Sequence, residues 1–450
     1  MLKKQVEVFE PIRRLKFKHV FIVLFFISLL LIAACSKNNE AKEEKVEPRL
    51  SGIWSGQIDA PPVPLEFTVN FTNDEELTGE LSIPIQNLID YPLSNFSIKG
   101  DSISFDMELP QETVNFEGEF KNDELIEGTF TQRGQSFPFH LQKGELAKED
   151  DEEDVNLISV ETEHGTLKGE LVVPEGKEQY PIVLIIPGSG PTDRNGNSAA
   201  LPGRNDSLKL LAEALAEEGI ASVRYSKRGA GENLEAIIPE EDLRFEDFVN
   251  DAVSWLQLLK NDDTYTRVGV IGHSQGALTG LLAAKQVEVD AYVSIAGAGR
   301  PIGEVLREQL SNQLPKNLLK ESEEILASLE EGHVVEEISE ALNSVFRPEV
   351  QPFLISWMAY DPVKEISSFE VPTLIVQGGN DIQVSEENAK LLAEAKIDAD
   401  TLTIVGMNHV LKEAPEDPVG NMQTYSNPDL PLSDGLVSGI VEFFERVDFK

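Results

Sequence analysis

Three residues of this chain could together perform nucleophilic chemistry, namely Ser274, Asp381 and His409. Ser274 lies within the sequence Gly-His-Ser-Gln-Gly at residues 272–276, after an apolar run at 268–271 and before a helical pattern at 277–285. Glycine two positions to either side permits a sharp strand-to-helix turn that exposes the serine hydroxyl. A serine hydroxyl needs a base to remove its proton at neutral pH, so the motif predicts a nucleophile whose partners lie elsewhere.

His409 is the histidine whose position suits that base. It lies in Gly-Met-Asn-His, in the loop after the last predicted strand at residues 401–405, and therefore on the sheet edge predicted for Ser274. The other five histidines fall in an N-terminal apolar segment, in the β-rich region, in an opening hairpin, beside the nucleophile and in a helical insertion: His19, His140, His164, His273 and His333. Elimination and position together predict His409 as the general base.

The acid that orients the histidine is predicted to be Asp381. It lies in Gly-Gly-Asn-Asp, the loop after a predicted strand at residues 373–377, so the order along the chain is serine, acid, histidine. Asp361 precedes a proline and suits a turn or helix start, whereas Asp400 precedes its strand and would lie at the opposite edge. Asp381 could alternatively do no more than cap the helix that follows Val384.

An acyl-transfer site also needs backbone N–H groups that stabilise the oxyanion. Gln275, at the start of the helix after the nucleophile, is the first candidate. The second donor should come from the loop Pro-Gly-Ser-Gly-Pro at residues 187–191, where Ser189 and Gly190 both remain open. The same loop is not a phosphate-binding loop, because no lysine follows at the required spacing. No metal or organic cofactor is implied.

From residue 157 onward, helical and strand patterns alternate, which predicts a mostly parallel sheet with helices on both faces. The predicted strands cover residues 158–161, 165–173, 181–186, 220–225, 268–271, 291–295, 373–377 and 401–405, and the predicted helices cover 208–218, 245–259, 277–285, 386–395 and 436–446. Residues 301–360 interrupt this alternation with helical, Leu/Glu-rich sequence. An insertion between two sheet strands at this point would form a lid above their carboxyl ends.

Residues 50–145 predict a separate antiparallel β-domain. Six short alternating segments, at 66–71, 77–83, 102–107, 114–120, 125–131 and 137–141, are separated by turn sequences, which favours a barrel or half-barrel. Trp54 and the phenylalanines could line a ligand groove, although aromatic residues on strands are more often core. The following segment, 146–156, contains six consecutive acids at 149–154 and is predicted to be a solvated linker.

The N-terminus predicts export. Basic residues precede an apolar run at 20–34 that is too short for a spanning helix and suits a signal segment covering residues 1–34. The run ends Ala-Ala-Cys, which resembles the lipobox of bacterial lipoproteins, and an uncleaved membrane anchor is the alternative. The resemblance implies a lipid on Cys35, the only cysteine, and attachment to the outer face of a bacterial cell membrane. The following sequence is polar and Lys/Glu-rich without apolar periodicity, which predicts a flexible tether over residues 35–49. The net charge of −41 argues against nucleic-acid binding.

Several stretches together resemble the α/β-hydrolase superfamily, and specifically bacterial carboxylesterases and serine-aminopeptidase-like hydrolases with an N-terminal β-domain. They are residues 187–197, 225–231, 272–276, 371–384 and 408–409. Such enzymes more often have aspartate where Ser226 stands, and an ion pair between Asp193 and Arg194 is expected to fix the oxyanion loop. The resemblance implies a serine hydrolase of residues 157–450 that acts on small-molecule esters, and short acyl chains are expected because no long apolar face stands out in residues 301–360. Peptidase or thioesterase activity, or a non-catalytic binding lipoprotein, are the alternatives.

Overall fold

The computed structural model describes residues 50–58, 65–73, 77–83, 88–109, 112–132, 135–144, 155–198 and 203–450. The predicted signal segment, Cys35 and the tether lie outside these residues, as does most of the acidic linker. Within the described ranges, no helix is both long enough and apolar enough to cross a membrane.

The N-terminal region forms a closed antiparallel barrel of eight strands in sequential order, with β1 paired to β8. The strands are β1 (Gly52–Ile58), β2 (Leu65–Asn73), β3 (Leu77–Ile83), β4 (Leu88–Lys99), β5 (Ser102–Leu109), β6 (Glu112–Asn122), β7 (Leu125–Gln132) and β8 (Gln135–Lys143). Alternate side chains point inward, and the buried set is rich in aromatic rings, such as the stacked pair Phe105 and Phe116, 4.9 Å apart. Closure leaves no unpaired sheet edge, and the aromatic residues are core residues.

The predicted β-barrel is confirmed, but the sequence patterns predicted only six of its eight strands. Strand β1 was not predicted. Trp54 of this strand is fully buried, and its indole N–H donates to the carbonyl of Leu50 at 2.8 Å. Strand β4 was not predicted either. That strand contains Pro92 and a register shift between Ser94 and Ser97, and Asn95 there has φ of 54°. A proline and a bulge interrupt the two-residue alternation by which strands are recognised.

The C-terminal region is built on an eight-stranded, mostly parallel sheet in the order β16-β15-β14-β13-β11-β12-β10-β9. Its strands are β9 (Leu157–Thr162), β10 (Gly165–Val172), β11 (Tyr180–Ile186), β12 (Ala221–Tyr225), β13 (Tyr265–His273), β14 (Ala291–Ile295), β15 (Thr373–Gly378) and β16 (Asp400–Ile404). The hairpin β9–β10 and the pair β10–β12 are antiparallel, and the remaining pairs are parallel. The carboxyl ends of β11 to β16 therefore meet at one edge.

Helices cover both faces of this sheet. They are α1 (Ser207–Glu217), α2 (Phe245–Lys260), α3 (Gln275–Ala284), α4 (Ile302–Gln313), α5 (Lys316–Glu330), α6 (Asn343–Phe346), α7 (Gln351–Met358), α8 (Pro362–Ser367), α9 (Glu386–Ala395), α10 (Pro418–Gln423) and α11 (Leu436–Arg446). One apolar cluster joins the sheet to α1 and α11, and a second joins it to α2, α3, α8 and α9. Strand β11 supplies both clusters alternately, with Val183 and Ile185 to one face and Ile182 and Leu184 to the other. This is the α/β-hydrolase fold that the sequence predicted.

The insertion between β14 and β15 is helical, as expected, and consists of α4 to α7. Its apolar side chains pack largely on one another, around Leu326, Leu329 and Phe346, all fully or nearly fully buried. The side-chain amide of Gln309 on α4 donates to the carbonyl of Gln383 at 3.0 Å. The insertion therefore contacts the loop that carries Asp381.

Candidate active site

Ser274 lies in a strained turn between β13 and α3. Its φ and ψ are 54° and −120°, a conformation that residues with a side chain rarely adopt. The two flanking glycines explain how the turn fits. A Cβ on Gly272 would lie 2.3 Å from the carbonyl oxygen of Gly276, and one on Gly276 would lie 2.3 Å from that of Ile186. The motif is thus a packing requirement of the strand-turn-helix as well as a sequence pattern.

The side chains of Asp381 and His409 are in direct contact at the carboxyl edge of the sheet. Nδ1 of His409 lies 2.8 Å from Oδ2 of Asp381, and the carboxylate is fully buried. The other oxygen, Oδ1, accepts hydrogen bonds from the backbone N–H groups of Gln383 and Val384 at 2.8 and 2.9 Å. Asp381 therefore both caps its own turn and holds the histidine, so the two roles considered from sequence coexist.

The environment keeps Asp381 ionised. Burial by itself raises the pKa of this carboxyl, but the charge interaction and hydrogen bond with His409, together with the two backbone N–H groups, hold its pKa below the ordinary value. A carboxylate can only accept, so Nδ1 of His409 carries the proton and Nε2 of the neutral ring is left as an acceptor. That tautomer is the one a general base requires.

The two rival aspartates occupy other positions. Asp361 caps α8 by accepting from the backbone N–H groups of Val363 and Lys364. Asp400 begins β16 and pairs with Arg446 at 2.6 Å, where both side chains are about half exposed. The structure therefore brings Asp381, and neither of these carboxylates, to His409.

His273 hydrogen-bonds the backbone of His409. Its Nε2 lies 2.8 Å from the carbonyl oxygen of His409, and because a carbonyl only accepts, this nitrogen carries the proton. The two imidazole rings are 4.9 Å apart. Burial, and after it repulsion from His409, lowers the pKa of His273 to about 4, so the ring is neutral at neutral pH. Sequence reasoning treated His273 as a rival base; the structure makes it a support of the His409 loop.

A second support is Asn408, the residue before His409. Its side-chain oxygen accepts from the backbone N–H groups of Val410 and Lys412 at 3.2 and 3.1 Å, and its amide donates to Thr424 at 2.7 Å. Asn408 is almost completely buried. These bonds shape the turn that presents His409, and the Asn-His pair in the sequence was the only signal of them.

The loop after β11 contacts the nucleophile turn. A Cβ on Gly188 would lie 3.4 Å from Cβ of Ser274, so this glycine allows close approach. Ser189 and Gly190 are exposed, and Gly190 has φ of 78°. Gln275 is the first residue of α3, so its N–H has no acceptor within the helix. The loop thus approaches Ser274 at Gly188, and the role of Ser189, Gly190 and Gln275 as oxyanion donors remains a prediction.

The prediction that Asp193 and Arg194 form an ion pair is wrong, because each side chain bonds other partners. Asp193 accepts from the backbone N–H groups of Asn195 and Asn197, both at 2.9 Å, and closes its own turn. Arg194 instead donates to Glu170 on β10 and to Glu232, at 2.9 and 2.8 Å. Both residues support the loop, but through partners that adjacent positions cannot reveal.

Glu232 also accounts for the unusual serine at position 226. The hydroxyl of Ser226 donates to the Glu232 carboxylate at 2.7 Å and accepts from the backbone N–H of Arg194 at 2.9 Å. A carboxylate from elsewhere in the chain therefore lies beside Ser226, where similar enzymes more often carry aspartate within the motif.

One further residue at this site escaped the sequence analysis. The amine of Lys227 is buried between the Gly188 carbonyl and the side chain of Gln275, at 3.3 and 2.6 Å. Its position inside the Tyr-Ser-Lys-Arg-Gly stretch was visible, but no pattern indicated that the side chain points inward. As for metals, no cluster of His, Cys, Asp and Glu side chains within the described ranges could hold an ion.

Comparisons with known proteins find similarity to hydrolases. The sequence model of the family described as "Hydrolase_4: Serine aminopeptidase, S33" matches residues 203–412, a range that contains Ser274, Asp381 and His409. The chain is 25% identical to esterase EstD of Thermotoga maritima over 364 residues, which cover 79% of this chain and 76% of that protein. The family match and this relative support a hydrolase.

Two solved structures are similar to part of this chain. Est1E of Butyrivibrio proteoclasticus, with ferulic acid bound, matches at 17% identity and a TM-score of 0.45, covering 65% of this chain and 100% of that one. The esterase domain of a Rhodothermus marinus protein matches at 16% identity and a TM-score of 0.40, covering 65% and 99%.

Proposed function

We propose that this protein is a serine hydrolase that cleaves carboxylic esters of short acyl chains through an acyl-enzyme intermediate. The observation that carries the proposal is the buried contact between Asp381 and Nδ1 of His409, at the sheet edge where Ser274 occupies its strained turn. The sequence order serine, acid, histidine and the similarity to an esterase support the same conclusion.

In the proposed mechanism, Oγ of Ser274 attacks the ester carbonyl while Nε2 of His409 takes its proton. Asp381 holds the resulting imidazolium through Nδ1–H. The negative oxygen of the tetrahedral intermediate accepts hydrogen bonds from the backbone N–H of Gln275 and from that of Ser189 or Gly190.

His409 then gives the proton to the leaving alcohol, and the acyl group stays on Ser274. A water molecule attacks the acyl-enzyme with His409 again as base. This second half releases the carboxylic acid and restores the serine.

Covalent labelling tests the mechanism directly. A fluorophosphonate should label the wild-type protein, and labelling should disappear in Ser274→Ala and fall below detection in His409→Ala. His333→Ala is the matched control, since that histidine lies in the insertion with its side chain 71% exposed, and it should label normally. Wild-type protein that resists the probe would refute the proposed nucleophile.

A substrate panel tests the ester preference. We expect kcat/KM to be highest for p-nitrophenyl acetate or butyrate, because no long apolar run stands out in the sequence of residues 301–360 and many apolar side chains of the insertion are buried against one another. A protein that cleaves aminoacyl p-nitroanilides or acyl thioesters but ignores short esters would be a peptidase or thioesterase with the same triad. A protein inert to all of them would favour the binding-lipoprotein alternative.

We also propose that the protein is lipid-anchored through Cys35 at the outer face of a bacterial cell membrane. The support is the sequence of residues 1–35, which combines basic residues, a short apolar run and small residues before the single cysteine. Radiolabelled palmitate supplied to expressing cells should enter the wild-type protein and not Cys35→Ser. Equal incorporation into both would contradict the anchor.

A further inference from the structure

Lys227 is a buried lysine that bonds both the loop after β11 and the first residue of α3. Its side chain is 6% exposed, and its amine donates to the backbone carbonyl of Gly188 and to the side-chain oxygen of Gln275. The ammonium also lies 3.9 Å from the centre of the Phe248 ring, on α2. Among the described residues, Lys227 forms no ion pair with a carboxylate, so its charge faces two neutral oxygens and an aromatic ring.

The bond to Gly188 acts on one peptide plane. In a trans peptide the C=O and N–H groups point in opposite directions, so the carbonyl of Gly188 and the N–H of Ser189 belong to one rigid unit. When Lys227 holds the carbonyl on one side, it sets the direction of the Ser189 N–H on the other. A hydrogen bond donated to the carbonyl oxygen also polarises the peptide and strengthens its N–H as a donor.

The bond to Gln275 acts on the other candidate donor. Lysine can only donate, so it faces Oε1 of Gln275, at 2.6 Å. The amide nitrogen of that side chain is buried and has no hydrogen-bond partner within the described part of the chain. Lys227 is therefore the polar group that orients this side chain, and through it the first residue of α3.

The position of this lysine is costly for the fold. Burial lowers the pKa of Lys227 to about 7, although the charge of Asp251 opposes the change. A lowered lysine pKa means that the folded protein disfavours the cation, so a methionine of similar length should be tolerated in stability. A buried, unpaired amine at such a position is typical of functional sites.

We propose that Lys227 is the positioning residue of the oxyanion hole, and that it joins the Gly188–Ser189 peptide to the start of α3 so that the N–H groups of Ser189 and Gln275 converge on one point. This inference rests on the proposed serine mechanism. It also selects Ser189 over Gly190, whose peptide plane is held instead by Thr192: the Thr192 hydroxyl donates to the Ser189 carbonyl at 2.7 Å.

The test compares Lys227→Met with two other variants. In Lys227→Met, kcat for p-nitrophenyl butyrate should fall by about tenfold to 100-fold with KM little changed, since loss of one whole oxyanion donor costs about 10² to 10³. Thr192→Val should retain most of the activity. Lys396→Met is the matched control: Lys396 is also buried, but its amine bonds Asp398 at the far end of α9, and its loss should leave kcat unchanged.

A transition-state analogue separates positioning from general damage. A trifluoromethyl ketone adds to the serine and places an oxyanion in the hole, so its inhibition constant should rise in Lys227→Met by the same factor as kcat/KM falls. If Lys227→Met does not fold, Gln275→Met removes the acceptor of one of the two hydrogen bonds of Lys227 while keeping the backbone N–H, and a smaller fall in kcat is expected because the bond to Gly188 remains. In the double variant the loss should not exceed that of Lys227→Met, because that substitution already breaks the bond to Gln275.

Each outcome is decisive. Full kcat in folded Lys227→Met, or a rise in KM without a fall in kcat, would overturn the role of Lys227 while leaving Ser274 as nucleophile. A larger loss in Thr192→Val than in Lys227→Met would overturn the choice of Ser189. Failure of the wild-type protein to react with a fluorophosphonate would overturn the proposed function, and this inference with it.

Discussion

Replacing Asp381 by asparagine tests the core of the proposed site, because the carboxylate makes bonds that an amide cannot reproduce. Oδ1 accepts from two backbone N–H groups, and Oδ2 accepts from His409 at 2.8 Å and from the side-chain amide of Gln377 at 3.3 Å. Asparagine has one accepting oxygen and one donating NH₂ group. Whichever way it is turned, donors will face donors on one side.

The two orientations have different costs. If the NH₂ group faced the backbone, the N–H groups of Gln383 and Val384 would both be buried without acceptors, at about 1–3 kcal/mol each. We expect the other orientation, in which the oxygen keeps these two bonds and the NH₂ group meets His409. The imidazole must then move its proton to Nε2, the atom that should receive the proton of Ser274.

The expected loss in kcat is large. The same change of tautomer in a serine protease lowers kcat about 10⁴-fold, which corresponds to about 5 kcal/mol of transition-state stabilisation. Steady-state hydrolysis of p-nitrophenyl butyrate by Asp381→Asn measures it, with a thermal melt to verify folding. Asp361→Asn is the matched control, since asparagine caps a helix about as well as aspartate and activity should be unchanged.

The result that would refute this reasoning is specific. If Asp381→Asn keeps more than about a tenth of wild-type kcat, the contact with His409 does not set the catalytic tautomer. If Asp361→Asn loses activity instead, the acid was assigned to the wrong carboxylate.

Two further predictions concern stability. Ser274→Gly should melt about 2 °C higher than Ser274→Ala, because glycine adopts φ of 54° without strain. The relieved strain exceeds the extra entropy that glycine loses on folding by about 1 kcal/mol. Equal melting temperatures would show that the turn is not strained. His273 binds its proton more readily unfolded, near pH 6.5, than folded, near pH 4, so it should cost the fold about 3 kcal/mol as pH falls through this window. Urea titrations at both pH values should show a weaker acid dependence in His273→Gln, and parallel pH profiles would contradict the buried neutral ring.

Much of the framework followed from local sequence. The strands of the main sheet and the helices around it appeared within a few residues of their predicted positions, because periodicity reports which side of an element is buried. The turn at Ser274 could be predicted for a related reason. Only glycine fits at positions 272 and 276, so the tight packing of the turn requires glycine at both positions of the sequence.

Side-chain partners from distant segments were beyond the sequence. Arg194 was assigned to its neighbour Asp193, yet it bonds Glu170 and Glu232. Nothing local distinguishes those carboxylates from many others in so acidic a chain. Strand β4 was missed because its pairing tolerates a proline and a bulge that local patterns count against a strand.

Sequence alone therefore determined the identity and order of Ser274, Asp381 and His409 as candidates and the type of sheet that carries them, since these depend on backbone geometry encoded over short stretches. Tertiary structure decided which carboxylate touches the histidine and that Lys227 points inward between Gly188 and Gln275. The physical reason is that a side chain's burial and its partners depend on segments that meet only after the sheet has formed.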